Sequence, residues 1–244
     1  MIETAPPLTP SAPRKGLLGR VVGIWLAPRA TYADIVERPR VLGALLLSVC
    51  VLSAASVLFL NTEVGRQATL DQVTQQSEVR GQGLTDAQYQ QLQRIAPYLG
   101  YIFAAAQVIA VVVGSLIVTL LALAVFNVFL EHNASFKQIF AVVVHSGFVL
   151  MVAAFLVFPL DYVRESLTSP TTLAVFLPFL EEDSFLARFF GSVDLIYLWW
   201  VVNLAIGFGV LYKRRTGPIA IVLISIYVMI ALVIAGIRYA LAGA

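Results

Sequence analysis

The side chains in this sequence that could do chemistry are few, and they are polar residues set inside long apolar runs. His145, Asn203, Asn127 and Gln107 lie among aliphatic and aromatic residues, and Asp194 and Arg238 stand near the ends of two such runs. A polar group in lipid is costly unless it finds a partner, so each is a candidate for hydrogen bonding, proton handling or contact with a solute. Spacing suggests two pairs. His145 lies eight residues after Lys137 and Asn203 eight before Leu211, about 12 Å of helical rise in each case. Antiparallel helices would bring the two to one layer and to a hydrogen bond, direct or through water. Asp194 and Arg238 each fall about three residues inside the outer end of a run, where an ion pair would hold two spans in register; snorkelling of both to water is the alternative. Gln107 and Asn127 suit hydrogen bonds between helices.

Other chemistries find no support. No paired carboxylates share a helical face within the apolar runs, no glycine-rich phosphate loop follows a strand pattern, and no serine sits in a nucleophile elbow. The two histidines, His132 and His145, are thirteen residues apart at different depths, and Cys50 is the single cysteine, so neither a disulfide nor a cysteine-built metal site is expected. The reading is a protein without catalytic residues, metal or cofactor.

The elements that must position these residues are membrane helices. Of 244 residues, 59% are hydrophobic and 12% charged, with a mean hydropathy of +0.87; soluble domains carry about 25% charged residues. A net charge of +2 offers no basic face for nucleic acid. Residues 1–13, with four prolines among small polar residues, read as a disordered tail. Residues 14–39 read as cytoplasmic amphipathic helices. Leu17, Leu18, Val21, Val22 and Trp25 form an apolar stripe, and Arg14, Lys15 and Arg20 flank it, which together with Trp25 gives a membrane-surface set; an ordinary amphipathic helix packed on the rest of the bundle is the alternative. Five spans follow, at about 41–60, 98–130, 137–160, 191–211 and 218–241, with an outer helical hairpin at 61–97 and an outer loop at 161–190. In the hairpin, Thr85 and Gln88 have the spacing of a capping box. Within the loop, Leu173 to Leu180 is apolar around Pro178, too short to cross and expected to be re-entrant or to lie on the surface. The fold class is an all-α integral membrane protein, a five-helix bundle preceded by a cytoplasmic amphipathic helix.

Basic residues orient it. Arg14, Lys15, Arg20, Arg29, Arg38, Arg40, Lys137, Lys213, Arg214 and Arg215 fall on one side, against Arg66, Arg80, Arg94, Arg164, Arg188 and Arg238 on the other. The first side is therefore cytoplasmic, with the N-terminus inside and the C-terminus outside.

Three stretches carry a resemblance to a known family: WLAPRATYADIVERP from Trp25 to Pro39, the pair His145–Ser146, and VDLIYLWWVVNLAIGFGV from Val193 to Val210. In their order and spacing the chain resembles the Ypt-interacting-protein (Yip) domain family, in its bacterial branch, over about residues 20–241. The resemblance implies a five-helix integral membrane domain with a cytosolic N-terminus, in a bacterial cytoplasmic membrane. Eukaryotic members are associated with Rab-type GTPases, vesicle traffic and membrane shaping. The expected function is thus a non-enzymatic membrane-organising scaffold or adaptor, whose partners are the lipid bilayer and other membrane proteins or further copies of itself. The alternative is a small-solute, ion or lipid transporter or channel with a polar path at His145 and Asn203.

Overall fold

The computed structural model describes residues 15–79, 83–129, 134–181 and 184–242; the expected tail at 1–13 and Arg14 lie outside the described residues. Two short helices, α1 (Leu17–Leu26) and α2 (Pro28–Glu37), form a hairpin, and Pro28 at the first helical position, where no N–H is needed, starts the second. Then come α3 (Leu42–Leu60), the pair α4 (Glu63–Val79) and α5 (Asp86–Ile95), and α6 (Leu99–Phe129), which a single 3-10 turn joins to α5. The Thr85–Gln88 capping box opens α5 as its spacing requires. A second capping box, Ser135–Gln138, opens α7 (Phe136–Ser146), and α8 (Phe148–Arg164), α9 (Phe185–Gly191), α10 (Leu195–Leu211) and α11 (Thr216–Ala242) complete the chain. No strand is present among the described residues.

Four stretches are long and apolar enough to cross a membrane: Leu42–Leu60, Asp86–Phe126, Phe136–Arg164 and Thr216–Leu241. The expected fourth span is different. α10 is apolar but only 17 residues long, about 26 Å of rise and short of a full hydrocarbon core. The third span is not one uninterrupted helix either. It turns at Gly147 between α7 and α8, and runs on past Pro159 to Arg164, where Glu165 takes a left-handed conformation (φ 51). Helix continues through Pro159 because it removes only one backbone bond and the neighbouring helices hold the rest.

The α7–α8 pair is the centre of the bundle. Its most apolar stretch is 67% buried, against 11% to 17% for the other three spans, whose remaining surface is free for lipid. Ile139, Val142, Phe148 and Val149 of this pair, Leu204, Ala205 and Phe208 of α10, and Tyr32 and Ile35 of α2 make the core. α2 reaches that core because α10 has Gly207 there: a Cβ at Gly207 would stand 2.5 Å from Val142 Cγ1 and 2.9 Å from the Tyr32 ring.

Candidate functional site

The densest set of buried polar groups lies where α1 and α2 meet α7 and α10. The hairpin turns at Ala27, whose carbonyl accepts from Thr31 N, and its two helices touch at Gly23, opposite the Thr31 side chain. Lys15 Nζ donates to Thr31 Oγ1 at 2.7 Å. One turn nearer the open end, Arg20 and Asp34 face each other at 2.9 Å. Arg20 is only 4% exposed, and a buried guanidinium needs partners for most of its donors. It has them: Nε and Nη2 reach Asp34 Oδ2, Nη2 donates to Arg38 O at 3.1 Å, and Nη1 lies 3.4 Å from His145 Nε2.

Those contacts fix the state of His145. A guanidinium only donates, so Nε2 accepts and the ring proton sits on Nδ1, which donates to Ala141 O at 2.7 Å. Both nitrogens of this fully buried ring are engaged. The expected His145–Asn203 hydrogen bond is therefore not formed. Asn203, also fully buried, donates from Nδ2 to Trp199 O at 3.3 Å, one turn back on its own helix, and its Oδ1 accepts from no described group. Arg20 takes the imidazole because a long, charged donor makes the stronger bond. Next to it, Trp200 Nε1 donates to Ser146 Oγ at 2.9 Å, and Ser146 donates onward to Val143 O. Tyr32 OH has no partner either, and burial pushes its phenol above the usual range.

The expectation that Lys15, Arg20 and Trp25 form a membrane-surface set changes accordingly. Arg20 points into the protein, Lys15 is tied to Thr31, and the Trp25 ring lies 6.4 Å from that of Trp199. The outward face of α1 is instead Leu18, Val22 and Leu26, all exposed. Gln107 is half-exposed and its side chain has no hydrogen bond to described groups, and the Asn127 side chain and His132 lie outside what is described.

A second polar node surrounds Asp194, and the expected ion pair with Arg238 is absent from it. Asp194 caps α10, accepting from Ile196 N and Tyr197 N, while its other oxygen accepts from Ser169 Oγ at 2.6 Å and Thr171 Oγ1 at 2.7 Å. Its own N–H goes to Tyr227 OH at 2.9 Å. Hydroxyls from the returning chain satisfy the carboxylate locally, which an arginine eleven residues beyond Tyr227 on α11 cannot match in reach. Arg238 serves through its carbonyl, which accepts from Arg188 Nη1 at 3.1 Å.

Sequence reasoning missed Asp34, Tyr32, Ser169, Thr171 and Tyr227. One signal was available: Arg20 and Asp34 stand seven residues either side of Ala27, the mirrored placement that a hairpin turning there would pair.

Away from both nodes, a cavity of about 210 Å³ lies between α4 and the end of α8, lined by Glu63, Val64, Gln67, Ala68, Asp71 and Glu165. Arg66 already bridges Glu63 at 2.6 Å. Among the described residues no three His, Cys, Asp or Glu side chains are grouped to hold a metal ion.

Compared with known proteins, residues 22–237 match the family model of the Yip1 domain. No curated protein and no solved structure matches the chain.

Proposed function

The chain belongs to the Yip1 domain family, and from that membership and its multi-pass architecture we propose that it is a non-enzymatic membrane-organising scaffold or adaptor. The bilayer its apolar helices require is its first partner; other membrane proteins or further copies of the chain are the second. The N-terminal hairpin is the working part. It stands on the cytoplasmic side of a bacterial inner membrane, with five crossings behind it.

One observation carries this reading. The buried polar groups of the inner layer are used to seat the hairpin: Arg20 binds Asp34, Arg38 O and His145 together, so α1 is held on the bundle with Leu18, Val22 and Leu26 turned outward. A docked helix with an apolar outer face is suited to lie in the headgroup region and to present a fixed surface to partners. His145, with both ring nitrogens occupied by protein groups, is a joint in that seat.

The test is reconstitution in vesicles of phosphatidylethanolamine and phosphatidylglycerol. The wild-type chain changes vesicle shape or retains co-purifying membrane proteins, and the double variant Leu18→Asp/Val22→Asp loses this while its helices still insert. Equal behaviour of the two proteins overturns the scaffold reading. Solute or proton flux that disappears in His145→Leu replaces it with transport.

A further inference from the structure

Contacts along α11 show how the crossing before it is built. Tyr227 stands near the middle of α11, a helix of 27 residues that is apolar enough to span a bilayer. Its hydroxyl accepts from Asp194 N, which fixes the start of α10 halfway along α11. From there α10 covers only the half that leads back to Thr216, beside which Gly209 lies. The other half is covered by α9: the Phe185 ring packs on Tyr239 at 6.0 Å, and Arg188 Nη1 donates to Arg238 O. α9 and α10 are two pieces of one path along α11, broken at Ser192–Asp194.

A break at that depth leaves backbone groups where lipid offers no hydrogen bonds. The chain that returns from α8 supplies them. Leu195 N donates to Thr171 O at 3.0 Å, Leu173 N donates to Val193 O at 2.8 Å, and Ser169 and Thr171 bind the Asp194 carboxylate. Residues 169–173 therefore sit at the level of Tyr227, halfway along a spanning helix. Just beyond them Phe176 is 62% and Phe179 77% exposed, and on α9 Leu186 is 52% exposed. Large apolar side chains with no protein cover at membrane depth meet the medium that surrounds α11, whose Met229, Ile230 and Val233 are exposed likewise.

We infer that residues 169–181 and 184–191 form a re-entrant segment in the leaflet opposite α1 and α2, that it completes the fourth crossing with α10, and that phospholipid acyl chains cover Phe176, Phe179 and Leu186. The Asp194 node is the seal that lets the backbone break inside the membrane.

The experiment uses the full chain in vesicles of phosphatidylcholine and phosphatidylglycerol, with Cys50→Ser as background and a nitroxide on Phe176→Cys, Phe179→Cys or Leu186→Cys. Collisions with oxygen and with a water-soluble nickel chelate report the surroundings of each label. Met229→Cys, exposed on α11, is the lipid reference, and Gln75→Cys, exposed on α4, is the aqueous one. The expected result is an oxygen-to-nickel ratio at 176, 179 and 186 matching Met229→Cys and several-fold above Gln75→Cys. Ratios matching Gln75→Cys place the segment in water and overturn the inference. Labels shielded from both reagents mean that protein covers the surface, which overturns it equally. Phe179 makes few contacts, so its variant keeps the test open if a neighbour fails to insert.

Discussion

The two polar nodes sit on opposite halves of the bundle and solve the same problem with different chemistry. Each fastens a segment that does not cross the membrane to a helix that is broken: the α1–α2 hairpin near the turn at Gly147, and residues 169–176 at the break before α10. At Asp194 one acid is answered by hydroxyls and by the backbone, and every atom of its carboxylate has a partner. At Arg20 the fastening is an ion pair with an imidazole behind it, and two buried polar atoms beside it, Asn203 Oδ1 and Tyr32 OH, have none. Neutral partners make a joint that loses little when any one is removed. An ion pair makes one that fails when a single charge goes, because a buried charge left alone costs far more than a hydroxyl left alone.

The largest effect should therefore come from Asp34. Asp34→Ala leaves the Arg20 guanidinium buried without its counter-charge, a loss of about 3–5 kcal/mol, and the hairpin should undock. Proteolysis after the α1–α2 segment and thermal unfolding in detergent would register it. The double variant Arg20→Met/Asp34→Leu should recover most of that loss, since apolar residues of similar volume replace buried pairs with little penalty. If the double variant is as unstable as the single one, the inner node is not an isolated charge pair and the contrast fails.

At the other node, Asp194→Ala removes a helix cap and two hydroxyl partners, about 2 kcal/mol in all, less than Asp34→Ala. Asp194→Asn should lose less than half of that, because an amide oxygen still caps α10. Equal losses for Ala and Asn would show that charge matters there too, and would erase the difference between the nodes. Gly207→Ala probes the surface that seats α2. The added methyl meets Val142 and the Tyr32 ring, and overpacking of this kind costs about 1–2 kcal/mol. Unfolding by thermal melt should show it, with α2 the first element to become protease-sensitive.

Much of the bundle was legible because apolar length is a direct record of span: the stretches at 41–60, 98–130 and 218–241 each appear as one helix over nearly those bounds. Polar partners were harder to read. For His145 and Asn203, rise along a helix gives depth without direction around the axis, so the partner that His145 finds on α1 was invisible. Arg20 was read outward because a helix at a water boundary turns its charges to water. In the fold the charge faces the protein, where Asp34 and the Arg38 carbonyl meet it, while Leu18, Val22 and Leu26 face out. Asp194 was paired with Arg238 by level alone; the serine and threonine that hold it come from a loop whose path follows from no periodicity.

The smallest effect tests the unmet atoms of the inner node. Tyr32 OH is buried with no partner, so Tyr32→Phe removes a polar atom that never regained the hydrogen bond it had with water, and stability should be unchanged or higher by up to about 1 kcal/mol. The sign at high pH follows from the shift. Burial raises the phenol above its ordinary value of 10.0 in the folded chain, so above pH 10 the unfolded chain loses a proton that the folded chain keeps. The unfolded state then gains the free energy of ionisation, and stability falls as pH rises. Tyr212, pushed up to about 12 by burial, adds a smaller part of the same slope. Tyr32→Phe should therefore flatten, without abolishing, the loss of stability between pH 10 and 11, read as the pH dependence of the melting temperature. An unaltered slope would mean that Tyr32 meets water in the folded protein, which would leave Asn203 Oδ1 as the one unmet atom of the two and narrow the contrast with the node around Asp194.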